Sequence, residues 1–325
     1  VALPCQPRLW KLRLTRLPLC WTSVPEELTM DNSVRVRVPA TSANLGPGYD
    51  CIGLALDLWD EVSVGVLDRP GVMIDVTGKG ADTVPHDESH LVMATLRQGL
   101  VELGYPHPDA GLHLTAINSI PQSRGLGSSA AAVVSGLALA WGLARPGFPL
   151  DRSALLTMAA AIEGHPDNAA PAILGGAQLA WLDGEAVNHI GLTVNPSIVF
   201  RVYVPDRLVP TALARQVLPE QVDRVDAVHQ VLAASLLVTA LTTSPEHLLA
   251  ATQDWIHQPY RRALMPESAA LTDRLRGRGV ATVISGAGPT VLALGSRDQL
   301  EKVSDVDTAG FVAHDLVLGE GVHFF

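Results

Sequence analysis

Pro121-Gln-Ser-Arg-Gly-Leu-Gly-Ser-Ser-Ala130 is the stretch from which the fold is read, because a glycine loop here runs straight into an uncharged segment ending at Ala144. Gly125 and Gly127 let backbone amides approach a ligand closely, and a helix opening near Ser128 adds unpaired N–H groups and the positive end of its dipole. The loop reads as an anion site. Its G-x-G-x-x-A spacing also fits the dinucleotide fingerprint, which sets its glycines directly after a strand and an acid about 20 residues on, at the next strand's end. Here Gln122, Ser123 and Arg124 intervene, and the first acid downstream, Asp151, is placed to cap a helix. A Walker A loop is excluded, since no lysine follows the glycines. A plain helix-start loop needs neither two glycines nor two adjacent serines. The 20 uncharged positions from Gly125 to Ala144 are enough to cross a bilayer. Their Ala and Gly content suits a buried helix behind a loop instead.

Working outward, Val34-Arg-Val-Arg-Val38 alternates apolar and charged side chains and meets Pro39. That pattern predicts a half-exposed strand stopping at a glycine-rich loop that closes at Asp50. Glu61–Val66 and Val72–Val76 alternate again across the turn-like Asp68-Arg-Pro-Gly71, the pattern of a hairpin. His90–Leu103 has helical spacing, Leu112–Ile117 reads as a strand, and Asp151 N-caps a helix with the apolar face Ala154, Leu155, Met158, Ala159 and Ile162. Past the turn His165-Pro-Asp-Asn168, strands are expected over Ala172–Trp181, Ile198–Val204, Thr282–Ile284 and Thr290–Leu294, and helices over Val225–Leu241 and Pro245–Ile256. Strands and helices mixed in this irregular order favour an α+β fold. At roughly 150 residues per domain the chain suggests two, with a boundary near Thr193 that separates residues 30–193 from 194–325.

Composition narrows the function classes. Of 325 residues, 47% are apolar and 17% charged, an ordinary globular balance. The net charge of −10 argues against a nucleic-acid partner, which calls for a clustered basic face. Cys5, Cys20 and Cys51 form no C-x-x-C pair, so a zinc or redox site is not expected and a reducing, cytoplasmic setting fits. His86 and His90 stand four apart, but Asp87 occupies the place of the metalloprotease Glu and no third ligand accompanies them. Residues 1–29 carry a net +2 while the remainder carries −12, and Pro4, Pro7, Pro18 and Pro25 interrupt every helix there. An upstream extension, with Met30 as an alternative start, is the expectation; a targeting peptide is the alternative.

The loop at Pro121–Ala130, with Pro39-Ala-Thr-Ser-Ala-Asn-Leu-Gly-Pro-Gly-Tyr-Asp50 and Ser285-Gly-Ala-Gly-Pro-Thr290, resembles the three ordered motifs of the GHMP small-molecule kinases. Glu163-Gly-His-Pro-Asp-Asn-Ala-Ala-Pro171, Thr211-Ala-Leu-Ala-Arg215 and His257-Gln-Pro-Tyr-Arg261 narrow the likeness to the homoserine-phosphorylating branch, over about Val34 to Val317. Ser123 departs from the Gly or Ala common there, and Arg124 stands beside it. The resemblance implies a two-domain fold, with an N-terminal ATP-binding domain like ribosomal protein S5 domain 2, a C-terminal α+β domain and a cleft between them. It further implies ATP-dependent phosphorylation of the L-homoserine hydroxyl in threonine biosynthesis, with Mg²⁺ as cofactor and no membrane or nucleic-acid partner, a homodimer being left open. Another GHMP kinase, such as one for mevalonate, and a non-catalytic sensor are the alternatives.

By the same resemblance Pro121, Ser123, Arg124, Gly125, Leu126, Gly127, Ser128, Ser129 and Ala130 cradle the ATP phosphates, and Ser129 and Glu163 hold the metal. Asp167 faces the acceptor hydroxyl, as general base or merely as its orienting group, since a loose phosphoryl-transfer transition state asks little of a base. Asn44 and Asp50 meet the acceptor's amino-acid end, and Arg215 and Arg261 clamp its carboxylate, a pairing for which a guanidinium fork is suited. His165, Asn168, Thr211, Gly286 and Gly288 complete the acceptor set. A chain starting at Met30 is expected to keep kcat and Tm. Loss of activity, or of several degrees in Tm, would show that residues 1–29 pack on the fold.

Overall fold

The computed structural model describes residues 33–184 and 186–325, so the expected extension at residues 1–29 lies outside the described residues. Strands β1 (Val34–Asn44), β2 (Gly48–Leu67) and β3 (Val72–Gly78) are followed by α1 (Leu91–Glu102), β4 (Gly111–Asn118), α2 (Ser128–Ala144), α3 (Arg152–Glu163) and α4 (Ala169–Leu174). The β5–β6 pair (Ala177–Asp183, Ala186–Leu192) ends this half. After it come β7 (Val199–Pro205), α5 (Thr211–Gln216), α6 (Arg224–Thr242), α7 (Leu248–Ala251), α8 (Gln258–Arg261) and α9 (Pro266–Gly277). The chain closes with β8 (Ala281–Ile284), β9 (Val291–Gly295), α10 (Arg297–Glu301), β10 (Phe311–Leu316) and β11 (His323–Phe324). A seven-stranded sheet runs β11-β1-β2-β4-β3, with β5 also paired to β2 and β6 paired to β5, and a four-stranded antiparallel sheet runs β10-β7-β9-β8. The mixture is the expected α+β fold.

Four local expectations give way. β1 does not stop at Pro39 but runs to Asn44, with a register shift between Pro39 and Ala40 that accommodates a residue lacking an N–H. β2 and β3 do not form a hairpin: β4 lies between them, antiparallel to β2 and parallel to β3. Alternation identifies a strand and not its partner, and α1 provides the crossover that parallel neighbours need. Ala172–Trp181 is divided into the end of α4, a Gly175-Gly176 turn and β5, because a short buried apolar run fits helix and strand alike. Likewise Pro245–Ile256 holds only a 3₁₀ turn and α7 before Asp254 accepts from the N–H groups of Ile256, His257 and Gln258 and starts α8.

The uncharged run is α2, buried along most of its length against α1, α3 and β1. Its small residues permit the approach: a Cβ on Gly136 would lie 2.0 Å from Thr95 Oγ1 and 2.5 Å from the Val92 carbonyl of α1. Full burial of Val133, Val134, Leu137 and Leu139 contributes about 1.5–3 kcal/mol per side chain. Asp151 caps α3 as expected, accepting from the N–H groups of Ser153 and Ala154. One described helix, α6, has the length and apolarity to cross a membrane. Here it packs Ala233, Leu237, Ala240 and Leu241 into the core, and its Gln230 donates to the Pro47 carbonyl. Asp60 on β2 accepts from the N–H groups of Ser119 and Ile120, which fixes the chain where it enters the loop before α2. Burial outweighs those two bonds and raises the Asp60 carboxyl to about 6.

Candidate active site

Three segments converge at the start of α2: the end of β1 with the turn after it, the glycine loop before α2, and the β8–β9 loop. The Leu126 carbonyl accepts from Thr41 N–H, the Ala43 carbonyl from Gly286 N–H, and the Arg124 carbonyl from Thr290 N–H. Asn44 Nδ2 donates to the Gly286 carbonyl at 3.0 Å. Ser285 Oγ lies 2.6 Å from the Gly125 carbonyl and 2.7 Å from Ser42 Oγ. A hydroxyl has one proton, so Ser285 donates to the carbonyl and accepts from Ser42. The approach leaves no room for side chains at two positions: a Cβ on Gly125 would fall 2.2 Å from the Ser285 carbonyl oxygen, and one on Gly127 would fall 1.9 Å from Thr41 Oγ1.

Between the loops lies a cavity of about 350 Å³. Ser123, Gly125, Gly127, Ser128, Ser129 and Ala130 line one side and Glu163 borders them. The N–H groups of Ser128, Ser129 and Ala130 open α2 with no side-chain cap, so at the cavity wall these donors have no protein partner among the described residues. Arg124 stays outside the wall. Its guanidinium donates to the carbonyls of Gln122, Pro205 and Asp206, which ties the loop to the end of β7. Pro121, the core residue Leu126, and Gly288, packed behind Gly125, are also outside it. Ser123 holds φ 53°, a left-handed conformation natural to glycine and costing a serine of order 1–3 kcal/mol.

On the other side Asn44, Asp50, His165, Asp167, Asn168, Thr211, Arg215, Arg261 and Gly286 complete the lining. Glu163 is the last residue of α3, and Ser129 Oγ donates to its Oε1 at 2.9 Å. His165 Nδ1 and Asp167 Oδ1 are 2.5 Å apart, and Asp167 is 2% exposed. The Asp167 hydrogen bond holds the His165 pKa above its usual value against the effect of burial. Asn168 Oδ1 accepts from Thr41 Oγ1 at 2.7 Å. Arg215 forms a two-pronged pair with Asp50 at 2.9 and 3.2 Å and reaches the Tyr49 hydroxyl at 3.2 Å. Burial disfavours the Arg215 charge, yet its Asp50 bond and the charge of Asp50 keep its pKa raised. Arg261, 2% exposed, donates through Nε to the Ala214 carbonyl and through Nη1 to the Gly286 carbonyl and His257 Nδ1, and burial lowers its pKa. Side-chain ligand atoms of Asp50, His165 and Asp167 lie within 4.8 Å of one another, so carboxylates and the guanidinium groups of Arg215 and Arg261 share this side of the cavity.

Thr41, Ser42, Tyr49, His257 and Ser285 also belong to the site, and sequence reasoning assigns none of them a role. All five stand inside the three motif segments or the His257–Arg261 segment, so membership of those segments is the signal that could have found them.

The chain matches the GHMP kinases N terminal domain over residues 90–176 and the GHMP kinases C terminal domain over residues 239–306. It is 50% identical to homoserine kinase of Clavibacter michiganensis over 83% of this chain and 84% of that protein. Against homoserine kinase of Streptomyces coelicolor it is 48% identical over 89% and 93%. The chain belongs to the homoserine kinase branch of the GHMP kinases. Among solved structures, homoserine kinase from Cytophaga hutchinsonii superposes with a TM-score of 0.78 at 28% identity, covering 91% of this chain and 98% of that one. Mevalonate kinase from L. major, at 16% identity and a TM-score of 0.63, shares the fold. Members of this family are ATP-dependent small-molecule kinases.

Ser285→Ala removes the donor to the Gly125 carbonyl and the acceptor of Ser42, both in the dry centre of the loop contact. Unpaired buried polar groups cost about 1–3 kcal/mol, so calorimetry is expected to show a lower Tm, accompanied by a raised KM for ATP. An unchanged Tm and KM would mean the loops do not depend on this hydroxyl.

Proposed function

We propose that the chain transfers the γ-phosphoryl group of ATP to the side-chain hydroxyl of L-homoserine, giving O-phospho-L-homoserine. The observation that carries this reading is a cavity with unpaired helix amides at one end and Asp50, Arg215 and Arg261 at the other, with Asp167 between. The amides of Ser128, Ser129 and Ala130 meet phosphate oxygens, and the α2 dipole favours their charge. The acceptor's ammonium pairs with Asp50 and its carboxylate with Arg215 and Arg261. For Arg261 the hydrogen bonds to carbonyls and His257 leave Nη2 without a partner among the described residues. Mevalonate lacks the ammonium and galactose lacks both charges, so neither offers Asp50 a cation in exchange for Arg215 and galactose leaves Arg261 without a carboxylate, and a lower kcat/KM is expected for both.

Mg²⁺ fits at Ser129 and Glu163. Their oxygens are hard donors 2.9 Å apart at the opening of α2, and neither is bonded to a cationic side chain among the described residues. When bound, Mg²⁺ neutralises charge on the β- and γ-phosphates. Asp167 orients the acceptor hydroxyl in line with the phosphoryl group. His165 holds one of its oxygens, which fixes the carboxylate and leaves the other to accept from the alcohol. We further infer a division of the described body near residue 193, between β6, the last strand of the large sheet's β5–β6 pair, and β7, the first strand of the second sheet.

Glu163→Gln keeps the shape and removes the charge. It is expected to lower kcat by about a hundredfold or more, the scale of losing one preorganised electrostatic group, with Tm near wild type. A kcat that hardly changes across a Mg²⁺ titration would make Glu163 only a helix end. Arg215→Ala is expected to weaken homoserine turnover severely while ATP binding, measured separately, stays close to wild type. A variant that chiefly loses ATP binding would contradict the acceptor assignment.

A further inference from the structure

His257 stands immediately before α8, fully buried, with both ring nitrogens engaged. Nε2 lies 2.7 Å from the Gly46 carbonyl, which has only lone pairs to offer, so Nε2 carries the proton. Nδ1 is therefore a bare lone pair, and Arg261 Nη1 donates to it at 3.2 Å. The remaining partners of Arg261 are the carbonyls of Ala214 and Gly286. No carboxylate bonds this guanidinium among the described residues, in contrast to Arg215, which Asp50 neutralises.

We propose that His257 is a positioning residue for acceptor recognition: its neutral, Nε2-protonated ring orients Arg261 toward the acceptor's carboxylate without cancelling the guanidinium's charge. The proposal rests on Arg261 being a carboxylate clamp. A protein carboxylate in the place of the ring would orient Arg261 equally well, but would compete with the ligand's own carboxylate for the same fork. An uncharged acceptor fixes the geometry and leaves the charge available. The link also joins the site's parts, because the same ring bonds the turn after β1 through Gly46 and stacks on Tyr49, with ring centroids 5.1 Å apart.

The groups facing the ring are Tyr49 and Asp50 from β2, Asp254 from the turn before α8, and Arg261 from α8 itself. Asp254 lies 3.4 Å from Nε2, but its carboxylate already accepts from Gln230 and from the N–H groups of Ile256, His257 and Gln258. Burial depresses the His257 pKa below the usual imidazole value, and Arg261 adds to this while Asp254 opposes it. Protonating Nδ1 would remove the lone pair and set a cation against a cation. Acceptor binding through Arg261 is thus present above the folded-state pKa and lost as pH falls through it, below about 6.5.

Two substitutions separate the ring's nitrogens, since an Asn side-chain oxygen stands near the Nδ1 position and a Gln amide nitrogen near Nε2. Steady-state kinetics of H257N, H257Q and R261A are measured with homoserine and with ATP from pH 5 to 8. H257Q is expected to raise the homoserine KM at least about tenfold with kcat and the ATP KM little changed, the pattern of lost uniform binding. H257N keeps the acceptor for Arg261 and restores most of that loss. Tolerance of H257Q with failure of H257N would overturn the proposal, since the ring would then serve only Gly46. Wild-type homoserine KM in both variants would overturn it equally. If H257Q does not fold, H257A stands in for it, and the same homoserine KM in H257A and H257N counts against His257. An unchanged homoserine KM in R261A would instead contradict the carboxylate clamp itself.

Discussion

The close approach of three chain segments, centred on the buried Ser285 hydroxyl, sets the geometry on which the site depends. Ser285 donates to the Gly125 carbonyl and accepts from Ser42, joining three loops that are far apart in sequence. Each loop then brings something the others lack: Asn44 and Asp50 from the first, the unpaired α2 amides from the second, and the Gly286 carbonyl, which receives both Asn44 and Arg261, from the third. Gly125 and Gly127 follow from this approach, because a Cβ at either would sit against a neighbouring loop's oxygen or hydroxyl.

Charge is distributed along the cavity in a way that separates its two tasks. The end at α2, read above as the phosphate end, offers backbone dipoles and, among the described residues, no basic side chain in its wall, Arg124 being committed to carbonyls of Gln122, Pro205 and Asp206. Cationic side chains line the other end, read above as the acceptor's, where Asp50 pairs with Arg215 and His257 bonds Arg261 without neutralising it. A zwitterion matches this arrangement of one carboxylate and two guanidinium groups; a neutral sugar does not.

Features governed by neighbours along the chain are legible in the amino-acid sequence. The Asp151 cap, the buried uncharged helix and the helix amides behind Gly127 all follow from local rules and stand as expected. Pairing between distant segments is not legible: β4 enters between β2 and β3, and nothing in the alternation of β3 names its partner. The candidate site divides in the same way. Charged residues such as Glu163, Asp167, Arg215 and Arg261 are marked by the family resemblance and line one cavity. Ser285 and His257 act through contacts with residues more than 200 positions away, Ser42 and Gly46, and a small hydroxyl or a lone histidine carries no local signal of such a role.

The central claim is that one end of this cavity selects an acceptor carrying both an ammonium and a carboxylate. It is tested most directly by ADP release from the full chain with ATP, Mg²⁺ and, in turn, homoserine, mevalonate and galactose, compared as kcat/KM. Homoserine turnover is expected to exceed that of the other two by a few orders of magnitude, since only homoserine matches both charges of this end. Comparable kcat/KM for mevalonate or galactose would contradict it.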